Sequence, residues 1–376
     1  MKNLKPESLA VHAGTRFDEE TKGTNTPIYT STSFGYLDID TPVYPRYFNT
    51  ANQKALAEKI AAMEKTEDGL VFSSGMAAVT TTLLTFLKKG DHVVFQKGLY
   101  GGTSNWVKNW LERFGIEFTI LEDNHPQSFE KAIRKNSKII YIETPSNPLL
   151  RITDIEAVAE VAGSYGVLTV MDNTFASPVN QNPIELGIDL VLHSATKYLG
   201  GHGDICAGVT VGPEFLIEKI RSAGLNFGGS LNALMCHLLE RSIKTLFVRV
   251  EKQNKNAGEI AQFLSGHPSI GKVYYPGLKN SEGYKIAKKQ MKGFGGMLSF
   301  ELQKGKIDDF QRKLKLIKPS VSLGGVETII CAPALTSHRH LSKEARRKEG
   351  IADGLLRLSV GIENVEDLIG DIEQAF

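Results

Sequence analysis

Cysteine is scarce in this chain of 376 residues, with only Cys206, Cys236 and Cys331. An odd number of widely separated cysteines excludes a disulfide framework and the paired spacing of a zinc site, and fits reduced thiols used for packing. Long apolar runs are absent. No stretch is long enough to span a bilayer, and the opening MKNLKPESLAVHAGTRF has no continuous apolar segment before a small-residue cleavage site, so neither membrane insertion nor secretion is expected. Net charge is nearly absent as well, since 44 Lys and Arg against 42 Asp and Glu leave a formal +2. Without a basic stripe, a nucleic-acid partner is not expected. What remains is the expectation of a soluble, cytoplasmic globular protein. At this length, 41% hydrophobic residues suffice for one large domain and a smaller one.

Residues 1–50 are rich in Thr, Ser, Pro and Tyr (TNTPIYTSTSFGY, TPVYPRYFNT) and have no sustained period, which reads as an extended arm. From Ala51 the recurrence of Ala55, Leu56, Ile60 and Met63 predicts a helix, followed by a strand at GLVFSS. Short β-branched runs at DHVVFQ, FTILED, KIIYIET, VLTVMD and DLVLHS then alternate with helical stretches such as SNWVKNWLERFG and DIEAVAEVAGSYG. This alternation predicts an α/β domain over 51–229 with a mostly parallel sheet and ligands at the C-terminal ends of its strands. Beyond it, NALMCHLLERSIKTLFVRVEKQNKNAGEIAQFLSG reads as a long helical segment. With strands at GGMLSFEL and LLRLSVGI and a closing amphipathic helix at EDLIGDIEQAF, it predicts a smaller α+β domain over 230–376.

The segment richest in chemistry is DLVLHSATKYLGGHGD, where an apolar strand runs into a Ser-Ala-Thr-Lys turn and a glycine-rich loop. An isolated lysine is usually a solvated surface residue. Lys197, however, lies where a sheet meets a crevice, a place in which a lysine loses its proton readily and attacks carbonyls. Asp172 ends the neighbouring strand VLTVMD, and a carboxylate buried there requires a cationic partner. The protonated ring nitrogen of pyridoxal phosphate would be such a partner. A third junction, LVFSSGMAAVTTTLL, sets Ser73, Ser74 and Gly75 before a helix starting near Met76. Its free amides form an anion site, although a Ser-Gly start is also an ordinary helix cap. Ser194 and Thr196 add hydroxyls. His193 and His202 flank the lysine turn and read as structural, and the His338 and His340 cluster reads as a solvated loop and helix with no metal.

With these residues the chain resembles the Cys/Met-metabolism family of pyridoxal-phosphate enzymes, which includes cystathionine synthases and lyases, methionine gamma-lyase and the O-acylhomoserine sulfhydrylases. The resemblance is carried by TPIYTSTSF, YPRYFN, SSGMAA, LYGGT, ETPSNP, MDNTFASP, HSATKYLGGHGD, SLGGVET and LRLSVGIE. It implies the aspartate-aminotransferase-like α/β fold (fold type I), with Lys197 as the Schiff-base lysine and Asp172 as the partner of the ring nitrogen. Tyr100 matches the aromatic that stacks on the ring and acts as an acid or base near the leaving group. Ser74, Gly75, Met76, Ser194 and Thr196 match the phosphate cradle, and Tyr44 and Arg46 match a pair that reaches the phosphate of a neighbouring subunit. An obligatory dimer, and a tetramer built from two, follow from that match. Arg357 matches the residue that forks onto the substrate carboxylate, with Asn147 and Ser322 as helpers.

The resemblance implies elimination chemistry in which the freed Lys197 shuttles protons. The chain departs from cystathionine-handling members at Val43 and Asn105, keeps Glu327, and has Gly102 where methionine gamma-lyases place a cysteine. A carbon-sulfur lyase acting on methionine or cystathionine is therefore expected. The alternatives are a gamma-replacement enzyme (a cystathionine gamma-synthase or sulfhydrylase) and a non-catalytic paralogue that keeps the fold.

Overall fold

The structure, a computed structural model, describes residues 4–303, 306–339 and 342–376. Its main sheet contains β1 (Asp68–Phe72), β2 (His92–Phe95), β3 (Glu117–Ile120), β4 (Ser137–Glu143), β5 (Leu168–Asp172), β6 (Leu190–His193) and β7 (Gly208–Gly212), in the order β1-β7-β6-β5-β4-β2-β3. Only β7 runs against its neighbours. The central strands are continuous apolar runs because helices cover both faces. Val94, Ile140, Met171 and Val191 pack on one side with the helices Ala51–Glu64, Ile155–Tyr165 and Ala233–Ile243. Val93, Ile139, Val170 and Leu190 pack on the other with Gly75–Phe86 and Glu214–Phe227.

A smaller, mostly antiparallel sheet follows: β8 (Ile270–Tyr274), β9 (Met297–Leu302), β10 (Lys318–Pro319), β11 (Ile329–Cys331) and β12 (Leu355–Ser359), ordered β10-β11-β12-β9-β8. The fold is thus α/β, with a mostly parallel large-domain sheet and a separate smaller sheet, as expected. Among the described residues no helix is long and apolar enough to cross a membrane, and no group of three or more His, Cys, Asp or Glu could hold a metal. His340 lies outside the described residues.

Several local expectations change. β7 was not anticipated, because its GVTVG run is bounded by glycines that weaken a strand signal. The long helical segment is two helices, Ala233–Ile243 and Leu246–Gly266, with Thr245 between them in a non-helical conformation. There the Ser242 carbonyl accepts from Thr245 Oγ1 at 3.1 Å and from Arg249 Nη2 at 3.0 Å, which draws it out of the helical ladder. Cys206 is exposed, so only Cys236 and Cys331 are buried packing residues.

The arm also contains a helix, Pro6–His12, begun by a proline at its first position, where no amide donor is needed. Lys59, at 0% exposure, anchors that helix: its Nζ donates to the Ala10 and Val11 carbonyls, each at 3.1 Å, and to Thr15 Oγ1 at 3.2 Å. Thr15 and Thr26 both donate to Glu240 Oε1, at 3.1 and 3.0 Å, tying the arm to the body. Burial lowers the Lys59 pKa from 10.5 to about 8, against the opposing pull of Glu240. Between these values the unfolded chain binds more protons than the folded one, so this group makes stability rise with pH from about 8 to about 10.5. The full difference is about 3 kcal/mol. Denaturant titrations of wild type and Lys59→Met across this range are expected to show the rise only in wild type; equal slopes would contradict the assignment.

Candidate active site

Three strand-to-helix junctions meet at the C-terminal edge of the main sheet. After β1, Ser74 caps the helix Gly75–Phe86, its Oγ accepting from the Ala77 amide at 3.1 Å. A Cβ on Gly75 would lie 2.9 Å from the Cβ of Ser194, so glycine is what lets this helix start approach the lysine turn. First-turn amides and the Ser194 hydroxyl are thereby brought to one place, suited to an anion. Met76 extends the group toward the next helix, with Thr103 Oγ1 at 4.0 Å from its sulfur.

After β6 the chain turns through Ser194–Lys197. Thr196 closes the turn on itself, its Oγ1 donating to the Ala207 carbonyl at 3.2 Å and accepting the Ala207 amide at 3.0 Å, while the Ser194 amide donates to Thr174 Oγ1 at 2.8 Å. Below the turn the buried Arg249 donates from Nη1 to the Tyr198 carbonyl at 2.9 Å. Burial lowers the Arg249 pKa to about 10. Lys197 Nζ donates to Ser322 Oγ at 2.8 Å. Burial, and then the positive charge of Arg357, push the Lys197 pKa below the ordinary lysine value, which enlarges its neutral, nucleophilic fraction.

Asp172 ends β5. Its Oδ1 accepts from the Thr174 amide at 2.9 Å, and burial raises its pKa against the lowering effect of the Thr174 hydrogen bonds. His193 bonds Glu64 Oε1 at 2.7 Å, both side chains being buried, and His202 Nδ1 lies 2.8 Å from the Gly200 carbonyl. Both histidines are thus held in structural contacts. His338 lies 2.9 Å from Ser337 Oγ.

On β12, Arg357 is 5% exposed. Its Nη1 donates to Asn147 Oδ1 at 2.8 Å and its Nη2 to the Ser322 carbonyl at 2.9 Å. Its buried Nε has no hydrogen-bond partner among the described residues, and it is a donor that a carboxylate fork would use. Ser322 holds φ +82, a left-handed conformation that fixes its hydroxyl beside Lys197.

Tyr100 precedes the short helix Gly101–Trp106 and is 45% exposed, with its amide donating to Glu143 Oε2 at 2.7 Å. The ring folds back on Gly102, where a Cβ would fall 2.5 Å from Tyr100 Cε1. Gly102→Ala is therefore expected to displace the ring and to lower kcat by about 10-fold, with a change in stability within about 1 kcal/mol. Steady-state kinetics beside thermal unfolding check this; unchanged kinetics would contradict it.

Tyr44 and Arg46 stand apart. Arg46 is exposed, bonds the Leu225 carbonyl and lies over the rings of Tyr44 and Tyr47 at 5.7 and 5.3 Å. Among the described residues neither of them bonds Lys197, Asp172 or Arg357. Asn105 and Glu327 are exposed and Val43 is half-buried.

Glu143, Thr174 and Arg249 have contacts to the site and were given no role from sequence. Glu143 pairs in register with Asp172 across β4 and β5, so a carboxyl ending a strand parallel to VLTVMD was a usable signal. Arg249 lies some fifty positions beyond the turn it supports, and nothing local marks it.

The residues fit pyridoxal phosphate. A half-buried carboxyl that among the described residues has no Lys or Arg ion-pair partner, an anion-binding helix start, a lysine of lowered pKa and a buried guanidinium nitrogen answer the ring nitrogen, the phosphate, the aldehyde and a substrate carboxylate. A sequence profile described as "Cys/Met metabolism PLP-dependent enzyme" matches residues 7–376. The L-methionine gamma-lyase of Fusobacterium nucleatum subsp. nucleatum is 44% identical over 384 residues, covering 98% of this chain and 96% of that one. The cystathionine gamma-lyase of Bacillus subtilis is 44% identical over 376 residues, covering 99% of each. The crystal structure of cystathionine gamma-lyase from Lactobacillus plantarum complexed with L-serine superposes with a TM-score of 0.95 at 40% identity, covering 99% of this chain and 98% of that one.

Proposed function

The chain belongs to the Cys/Met-metabolism family of pyridoxal-phosphate-dependent enzymes, and from that premise we propose that it is a carbon-sulfur lyase. It acts on methionine or cystathionine by elimination, releasing a thiol, ammonia and a 2-oxo acid. The observation that carries this reading is the meeting of Lys197, Ser322 and Arg357 within one hydrogen-bonded group, with Asp172 at the same sheet edge.

Bound pyridoxal phosphate supplies an electron sink conjugated to the substrate's amino group. The residues of the chain do the rest. Arg357, held by Asn147 and by the Ser322 carbonyl, takes the substrate carboxylate through its free Nε–H and fixes which substrate bond faces Lys197. Lys197 Nζ, neutral more often than an ordinary lysine because of burial and Arg357, takes the proton from the alpha carbon and returns it farther along the chain. Ser322 Oγ holds that amine in place between transfers. Asp172 would present a carboxylate to the ring nitrogen of the bound cofactor and Tyr100 its ring face, while Ser74, Gly75, Met76, Ser194 and Thr196 would hold the phosphate. Val43, Asn105 and Gly102 leave the distal pocket with little charge, which favours a simple thioether end.

Purified enzyme is expected to form 2-oxobutanoate from methionine, or 2-oxobutanoate or pyruvate from cystathionine, without any added thiol. Product formed from an O-acylhomoserine only when a thiol is supplied would overturn the lyase in favour of gamma replacement.

A homotetramer built from two dimers accompanies this reading, with Tyr44 and Arg46 of one subunit completing the phosphate site of its neighbour. Supporting it, Ile28, Tyr29, Tyr36, Leu37, Ile39 and Tyr44 of the arm are all exposed, a run of apolar side chains suited to burial against another chain. The three unpaired cysteines suit a reducing cytoplasm. Mixing the inactive variants Arg46→Ala and Lys197→Ala under subunit exchange is expected to restore activity, because one site in a mixed dimer regains both residues. No recovery in demonstrably mixed dimers would contradict the shared site.

A further inference from the structure

Glu143 has no part in the steps above, yet it stands among them. It ends β4 directly opposite Asp172, on the face that also carries Tyr141. Its Oε2 accepts the Tyr100 amide at 2.7 Å, and its own carbonyl accepts from Gln96 Nε2 at 2.6 Å. Among the described residues its buried Oε1 has no hydrogen-bond partner, and neither has the buried Tyr141 hydroxyl. That phenol is directed toward Glu143 and Thr103 without closing a bond of ordinary geometry to either.

We propose that Glu143 is a positioning residue: it holds the Tyr100 backbone, and through it the ring, against the strand end that carries Asp172. It does so as a neutral acid. A carboxylate oxygen buried without a donor is costly, and two carboxyl groups side by side cannot both ionise cheaply. Burial and the Asp172 charge raise the Glu143 pKa well above the ordinary value, against the lowering effects of the Tyr100 amide and Tyr141. The groups facing the pair are Tyr141 on β4, the Tyr100 amide and Thr103 from the helix Gly101–Trp106, and His193 near Asp172. Among the described residues no Lys or Arg forms an ion pair with Glu143. The division of labour follows: Glu143 retains the proton, and Asp172 is left as the anion available to a cationic ring. This inference rests on the site proposed above.

The test uses the holoenzyme and its cofactor-free form with Glu143→Gln and Glu143→Ala, beside Lys197→Ala. Glutamine imitates the neutral acid and retains an acceptor for the Tyr100 amide; alanine removes it. Glu143→Ala is expected to weaken pyridoxal phosphate binding to the cofactor-free protein by about 10-fold, the scale of one lost hydrogen bond in a buried site, and to reduce the visible circular dichroism of the bound cofactor. Glu143→Gln is expected to recover most of both losses and to keep the wild-type pH profile of kcat, since no charge is altered. Thermal unfolding of both variants separates misfolding from the local effect.

A glutamine variant as impaired as alanine would overturn the neutral-acid role, and an alanine variant with wild-type cofactor affinity and dichroism would overturn the positioning role. If Lys197→Ala still bound the cofactor with wild-type absorption, the site itself would be wrong; if it did not, while both Glu143 variants behaved as wild type, only the proposal for Glu143 would fall.

Discussion

Replacing Lys197 with alanine is expected to lower the rate of 2-oxo acid formation by at least about 1,000-fold, since the variant loses the group that moves the proton in the transition state. Thermal stability of the cofactor-free protein should not fall. Burial and Arg357 already disfavour the lysine's charge, and among the described residues its amine is held by Ser322 Oγ. The same physics sets the pH dependence. The reactive form of Nζ is the neutral amine, so activity should rise with pH and level off below the ordinary lysine value of 10.5. Arg357→Met removes a positive charge that disfavours protonation, so in this variant the limb should move to higher pH. A limb that stayed in place, measured as kcat against pH, would remove Lys197 as the titrating base.

The second large effect belongs to Arg357→Lys, for which kcat/KM is expected to fall by about 10- to 100-fold. A lysine keeps the charge, but its three donors radiate from one nitrogen and do not reproduce the planar guanidinium that bonds Asn147 Oδ1 and the Ser322 carbonyl from separate nitrogens while a further one faces a carboxylate. Because the charge near Lys197 is retained, the pH limb should stay at its wild-type position, in contrast to Arg357→Met. Cofactor absorption should be unchanged in both. Kinetics equal to wild type in Arg357→Lys would show that a point charge suffices and that the fork has no role.

Much of this site is legible in the sequence, for a physical reason. Polar residues that follow apolar runs in an alternating α/β pattern fall at one edge of the sheet, so Asp172 and Lys197 were legible from local sequence. Gly75 was legible as a place of close approach at a helix start. Arg357, Asn147 and Ser322 have no such local mark and were reachable only through resemblance, because they come from different parts of the chain. Their meeting depends on how the smaller sheet packs on the larger.

What escaped depends on tertiary contact. Arg249 supports the lysine turn from a helix that read as part of one long segment, and the break at Thr245 arises from side chains competing for the Ser242 carbonyl, which periodicity does not register. β7 was hidden by its glycines. The Pro6–His12 helix was hidden by its shortness and by its dependence on Lys59, a residue nearly fifty positions away. Glu143 was visible in principle, but its significance lies in the register of β4 on β5, and register is not written in a single strand.

The central claim is that Lys197 carries the cofactor. Treating the purified holoenzyme with borohydride reduces the bond between lysine and cofactor to a stable amine, and digestion followed by mass spectrometry locates the added mass. The account predicts a single labelled peptide, containing Lys197, and none in Lys197→Ala. Label on another lysine of the chain, or a holoenzyme that acquires no label, would contradict it.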